Sequence, residues 1–336
     1  DDVVSLRGFD NHVNTVMLSD AALSGQFRCG HRAHGLGQVG LDITIQFAGT
    51  TASTYYGPEA GDWRFIQQAI LSWRRDTNMA RGHYWFVEAG VFLSPIGPEG
   101  MQVYQNWNWS HSNAFFGLPA YHTGIQLTRG LSSRWRLSGM VLNGWNSVVD
   151  NNDEKSFHLR AVYEVTDRII WTGQVMTGVE RPPAAVEGRA WRSMFDTFVT
   201  WHTTNWLSIQ LHANAGIEPN SLGTAWWATG VAYLRVRPWP TSLQGLTFAG
   251  RWDVFYERTP EGGSSVFWPM TPGHMGTLMS SGTLTGRLEV ASHAAVYMEG
   301  RGDYSESPFW IRSRSPTETV YMPWRWTGTL GLTAWF

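Results

Sequence analysis

The sequence predicts an all-β fold: a closed, antiparallel, transmembrane up-and-down β-barrel of about sixteen strands, within a range of about fourteen to eighteen. Three observations carry that prediction. Apolar and polar residues alternate in runs of roughly ten, separated by turn residues. Charged residues make up only 15% of the 336, under the roughly 25% usual in soluble domains, while Trp reaches 20 and Gly 36. No stretch approaches the roughly 18 apolar residues of a membrane-spanning helix, and mean hydropathy is -0.25. A barrel sets only every second residue against lipid, so its average stays polar.

Successive side chains of a strand point to opposite faces. Val39, Leu41, Ile43, Ile45 and Phe47 alternate with Gln38, Asp42, Thr44 and Gln46. Phe157, Leu159, Ala161, Tyr163 and Val165 alternate with His158, Arg160 and Glu164. Phe195, Thr197, Val199 and Trp201 face away from Arg192, Asp196, Thr200 and His202. From Trp206 to Glu218, Leu207, Ile209, Leu211, Ala213 and Ala215 oppose Ser208, Gln210, His212 and Asn214. Leu246, Phe248, Trp252 and Val254, and then Leu284, Leu288 and Val290, repeat the pattern. The polar parity reads as water-facing, so Arg should be tolerated at His212 and costly at Ile209. A soluble sandwich also alternates, but its outer polar face is normally rich in Lys, and Lys155 is the only lysine here.

Short turns such as Thr166-Asp167-Arg168 and Ser132-Ser133-Arg134 alternate with long ones at Arg181 to Ala190, Thr259 to Met275 and Ser305 to Thr319. That is the asymmetry of an outer-membrane barrel. About fifteen strands can be counted and bacterial barrels have an even number, so one more is expected near the N-terminus. No domain boundary interrupts the pattern, and residues 1–336 read as a single barrel domain. Asp1-Asp2 reads as a trimmed start, since a signal segment would begin basic and then apolar. The last strand, Trp324 to Phe336, alternates throughout and resembles the terminal strand of bacterial outer-membrane proteins. That resemblance makes Phe336 an assembly signal. Trp171, Trp201, Trp206, Trp226, Trp252 and Trp324 suit interfacial aromatic girdles.

Other chemistries find no support. A single cysteine, Cys29, rules out an intrachain disulfide, and a net charge of -2 gives no reason to expect nucleic acid. The histidines lack metal-ligand spacing, so neither metal nor cofactor is expected. Gly35 to Gly40 imitates a dinucleotide fingerprint, but a strand follows it instead of a helix. There is no Gly-x-Ser-x-Gly elbow, and the expectation is a protein that is not an enzyme.

The most distinctive series starts at Gly90 and runs through Ser94-Pro95-Ile96-Gly97. It continues with Asn106-Trp107-Asn108-Trp109-Ser110-His111-Ser112, Pro119-Ala120-Tyr121-His122-Thr123-Gly124, Asn143-Gly144-Trp145-Asn146 and Asp150-Asn151-Asn152. This order of motifs resembles the β-barrel porin-2, or OmpL-like, family of bacterial outer-membrane proteins. Phe9-Asp10-Asn11 and Ile66-Gln67-Gln68-Ala69 look like further landmarks. The resemblance implies an outer-membrane porin: a water-filled channel for passive diffusion of small hydrophilic solutes or ions. The alternative is a barrel that sheaths or anchors a periplasmic or surface partner. Expected partners are outer-membrane lipid and lipopolysaccharide, the barrel-assembly machinery through the C-terminal strand, and a homotrimer or partner complex.

Candidate pore-lining residues follow from parity: Arg136, Arg160, Arg192, Arg235, Arg251, Arg287, Arg301 and Arg325, with Glu88, Asp196, Asp253, Glu289 and Glu299. Facing charges of both signs can set a transverse field in a pore or pair to stiffen the wall. The segment 97–118 is too long and too aromatic for a tight turn. It reads as a loop folded into the lumen or as an outer cap. In the inward reading Asn106, Asn108 and His111 stand at the narrowest point and bond to Arg136 and Arg160, while Trp107 and Trp109 anchor to the wall.

Overall fold

A strand in lipid must pair every backbone N–H and C=O with another strand, because no water is there to take them. The computed structural model describes residues 16, 18–47, 63–238, 245–266, 276–308, 310–314 and 319–336. Within them the alternating runs form β1 (Ala21–Gly30), β2 (Gln38–Phe47), β3 (Ile66–Asn78), β4 (His83–Leu93), β5 (Tyr121–Gly130) and β6 (Trp135–Leu142). There follow β7 (Ser156–Thr166), β8 (Ile169–Val179), β9 (Trp191–Trp201), β10 (Leu207–Asn220), β11 (Gly223–Val236) and β12 (Leu246–Arg258). The last are β13 (Gly276–Ala291), β14 (Ala294–Ser305), β15 (Trp310–Arg314), β16 (Thr319–Met322) and β17 (Trp324–Ala334).

Strands β1 to β14, followed by β17, pair neighbour to neighbour in one 15-stranded antiparallel sheet. β15 and β16 form a separate hairpin where the sequence reads as loop. Its aromatic residues Trp310 and Tyr321 suit a local strand pair. The strand expected near the N-terminus and the Phe9-Asp10-Asn11 landmark lie outside the described residues.

The connection between β4 and β5, residues 94–120, lies on the inward face of the sheet and touches strands near both of its ends. Gln102 Nε2 donates to Gln67 Oε1 of β3 at 2.9 Å. Tyr104 stacks on Trp335, one residue past β17, with ring centroids 5.4 Å apart. One segment can meet both only if the sheet curls round it. The faces then divide inside out. Outward positions are apolar and exposed, including Leu71, Ile125, Leu159, Trp252, Leu284 and Leu330. Inward positions carry Gln46, Asp196, Asn214, Asp253, Glu299 and Arg301, all buried. On β10, Leu211 is 51% exposed while its neighbour His212 is 4% exposed.

Short turns at 79–82, 131–134, 167–168, 202–206 and 292–293 gather at one end, and the connections 94–120, 143–155 and 180–190 at the other. Ser221-Leu222 departs from this order: two residues join β10 to β11 at the long-loop end.

The expectation for His212 is overturned. Its Nε2 lies 2.6 Å from Asp196 Oδ2 with both side chains buried, so Arg there would displace a packed hydrogen-bonded pair. Adjacent residues of β5 test the facing directly. Ile125 is 57% exposed on the outward face, and Gln126 is half-buried and donates to Glu88 at 2.7 Å. Ile125→Arg should cost about 2–4 kcal/mol in lipid, and Gln126→Arg should be nearly neutral. Unfolding midpoints of the two variants in liposomes measure the difference; equal losses would contradict the facing.

Candidate functional site

Residues 94–120 fold back on themselves before they meet the wall. Gly97 turns the chain with φ 80, where a side chain would be strained. Asn106 holds the two limbs together, donating to Gly100 O at 2.8 Å and accepting from Gly100 N at 2.9 Å. Ser112 Oγ caps the single helical turn Asn113–Phe116 by accepting from Phe115 N at 3.2 Å.

The folded segment is then bound by charge. Glu299 of β14 accepts from Trp109 N at 2.8 Å, Ser110 N at 3.1 Å and Thr285 Oγ1 at 2.7 Å. Asp253 of β12 accepts from Asn113 Nδ2 at 2.7 Å, and Asp196 of β9 from Gly97 N at 3.3 Å. Arg251 and Arg301 donate in the other direction, to His111 O at 3.1 and 2.5 Å. Arg251 Nη1 also lies 2.9 Å from Glu99 Oε1. Wall carboxylates thus take loop amides while wall guanidinia take loop carbonyls. Such charge-assisted bonds are about twice as strong as neutral ones. Aromatics add contact: Trp107 meets Tyr233 edge-on and lies under Arg235, whose Cζ is 4.6 Å from the ring. Trp109 packs against Tyr297 and covers Gly331, where any side chain would collide with it.

The loop's charged wall partners therefore include Asp196, Arg251, Asp253, Glu299 and Arg301, and the expected Arg136 and Arg160 stand apart. Arg136 pairs with Glu164 at 2.8 Å, and Arg160 Nε is buried without a hydrogen-bond partner. Asn108 and His111 are buried, against Thr285 and Phe115 respectively, so neither borders open space. Tyr104 and Gln105 are the exposed loop residues. Arg192 pairs with Glu218 at 2.6 Å and Arg325 with Asp303 at 3.1 Å. Glu289 pairs with Arg287 but is 48% exposed, at the short-turn rim and not inside the lumen. Phe336 ends the chain fully exposed on the outward parity.

Two features escape sequence reasoning. The inward parity is not polar throughout: Ile70, Phe92, Met140, Met176, Met194, Trp227, Phe255 and Met279 form an apolar collar with Ile96 and Leu118 of the loop. Methionine on an otherwise polar parity was its available signal. The lumen is also lopsided. Inward residues of β12 to β14 are sealed by the loop, whereas Glu88, Gln126, Arg136, Ser138, Arg160 and Glu164 on β4 to β7 stay half-exposed. Among the described residues, no group of three or more His, Cys, Asp or Glu could hold a metal ion.

A curled antiparallel sheet with an apolar outside, a charged inside and its own loop leaning across the lumen defines an outer-membrane barrel of the porin class. Residues 3–323 match the family described as "Putative beta-barrel porin-2, OmpL-like", and the chain belongs to that family of the bacterial outer membrane. No curated protein matches the sequence. Solved structures share the fold at low identity. An anion-selective porin from Comamonas acidovorans gives a TM-score of 0.59 at 9% identity, covering 94% of this chain and 89% of that one. OmpT of Vibrio cholerae in its trimer form gives 0.57 at 8%, covering 94% and 91%. The outer-membrane channel DcaP of Acinetobacter baumannii gives 0.56 at 10%, covering 94% and 84%.

Glu99 makes the loop's seat pH-dependent. Burial alone would raise the pKa of this loop carboxyl, which lies outside the spanning strands. Arg251, His111 and the hydrogen bonds from Ser112 outweigh burial and hold it below the ordinary carboxylate range. A carboxyl with a depressed folded pKa stabilises fully above its unfolded value and ceases to do so as pH falls through the folded one. Acidifying from about pH 7 to about pH 3 should therefore loosen the loop, seen as new protease cleavage within 97–118. Glu99→Gln should already be cleaved near neutrality. Equal protection at both extremes would count against the anchor.

Proposed function

We propose that the chain is a diffusion porin whose water path runs, on the short-turn side of the apolar collar, between the loop and the inward faces of β4 to β7. The lopsided lumen carries this reading: one wall is sealed by residues 97–118, and the other presents half-exposed Glu88, Gln126, Arg136, Arg160 and Glu164. Facing charges at such a passage select small hydrophilic or ionic solutes by field and size, and no catalytic step is involved. The sheath reading is weaker, because the space a partner polypeptide would need is occupied by the chain's own loop. Arg160, a half-exposed cation of that wall, is the residue proposed to set ion preference.

Homotrimer formation is proposed as well. Outward-facing Gly230, Gly282, Gly300 and Gly328 leave open space around them, so neighbouring barrels could approach closely. The remaining outward surface suits lipid and lipopolysaccharide, and the final strand suits the assembly machinery.

Single-channel recording in a planar bilayer tests the path. Replacing 97–118 with a Gly-Ser linker should raise conductance several-fold in a barrel that stays folded, and Arg160→Glu should move the reversal potential in a salt gradient toward cation preference. Unchanged conductance and potential would sink the proposal. Deleting Phe336 should lower the inserted fraction in cells and leave detergent-refolded protein barrel-like; normal insertion would remove its role as a signal.

A further inference from the structure

Four inward residues of adjacent strands stand in one row: Met140 of β6, His158 of β7, Met176 of β8 and Met194 of β9. Each directly opposes the next across the sheet. The hairpins repeat at a spacing of 18 residues, which brings the soft donors into register. Directly opposed side chains stand about 4.5–5.5 Å apart at Cβ. His158 is 1% exposed and none of the three methionines exceeds 4%. His158 Nδ1 lies 3.0 Å from Met140 Sδ. Its Nε2 faces the Gln174 side chain, which acts on it as a hydrogen-bonding group, although neither Nε2 nor Gln174 Oε1 makes a bond of good geometry. Trp227 covers Gly216, the next position of the row, and closes that end, since a side chain at Gly216 would meet the indole.

Methionine fills irregular cores well, so packing explains three of the four residues. It does not explain the imidazole. Leucine at 158 would fill the same space, whereas histidine leaves one ring nitrogen on a weakly accepting thioether and the other with only a poorly aligned contact to Gln174, a costly arrangement for a buried polar group. A neutral imidazole flanked by two thioethers is instead a soft donor set, of the kind that selects copper(I) over hard cations.

We propose that Met140, His158 and Met176 form a binding site in the lumen wall for a soft monovalent metal ion of the copper(I) class, with Met194 as an adjoining thioether. The site is independent of which solutes the channel passes. Silver(I) is the redox-inert probe. Cys29, an exposed thiol, would take silver itself, so the experiment uses full-length Cys29→Ser protein in detergent, labelled with methyl-13C methionine and titrated with silver nitrate. The Met140 and Met176 methyl resonances should shift with about one equivalent, while Met279, in the same collar but outside the row, should not. Met140→Leu/Met176→Leu, which conserves volume, and His158→Gln should each weaken binding by about tenfold or more and keep the heat-modifiable mobility of a folded barrel. Should the double variant fail to fold, His158→Gln carries the comparison. A uniform shift of all collar methionines, unchanged silver affinity in the variants, or zinc(II) bound as tightly as silver(I) would overturn the proposal.

Discussion

Lipid offers the backbone no hydrogen-bond partner, and the rest of this structure depends on that constraint. It forces β1 to β14 and β17 into one continuous ladder. The ladder imposes a side-chain period of two, and the period separates Leu211 from His212 and Ile125 from Gln126. Because lipid takes the apolar half of the residues, the charged half is left to organise the interior. The interior of this barrel is accordingly a polar lattice with an apolar layer set into it, the reverse of a soluble domain.

The lattice works by exchange of partners. Glu299, Asp253 and Asp196 accept loop donors, and Arg251 and Arg301 satisfy loop carbonyls. Buried ions of both signs would be costly alone. Here each is met by several bonds from a segment whose backbone has no ladder of its own. The loop needs the wall to satisfy its amides, and the wall needs the loop to satisfy its charges. The collar above them removes water from one side of this arrangement, which strengthens every bond in it.

Much of the fold was legible because the pleat leaves its mark on every second residue. The runs around Leu41, Leu159, Leu211 and Leu284 stand with the parity read from sequence, and so does the terminal strand. The strand pair containing Trp310 was not legible, since a five-residue run next to Pro and Ser shows no clear period. At the site, parity identified Arg251, Asp253, Glu299 and Arg301 as inward but could not say which wall the loop would choose. That choice depends on the curl of the sheet, which brings residues 110 and 299 together across 189 positions. Proximity in sequence favoured Arg136 and Arg160, and they lie on the other side of the lumen. The collar was missed because Met140, Met176, Met194 and Met279 each look like isolated exceptions until their registers align them.

The same long separations govern the order of events during biogenesis. Residues 97–118 find their partners far along the chain: Asn113 binds one 140 residues later and Trp109 one 190 residues later. Until the strands that carry those partners are in place the segment has nothing to hold it, and contacts of such high contact order form late. An incompletely wound sheet is thus an unblocked one. Seating of the segment and completion of the wall are thereby tied together, because the same strands supply both.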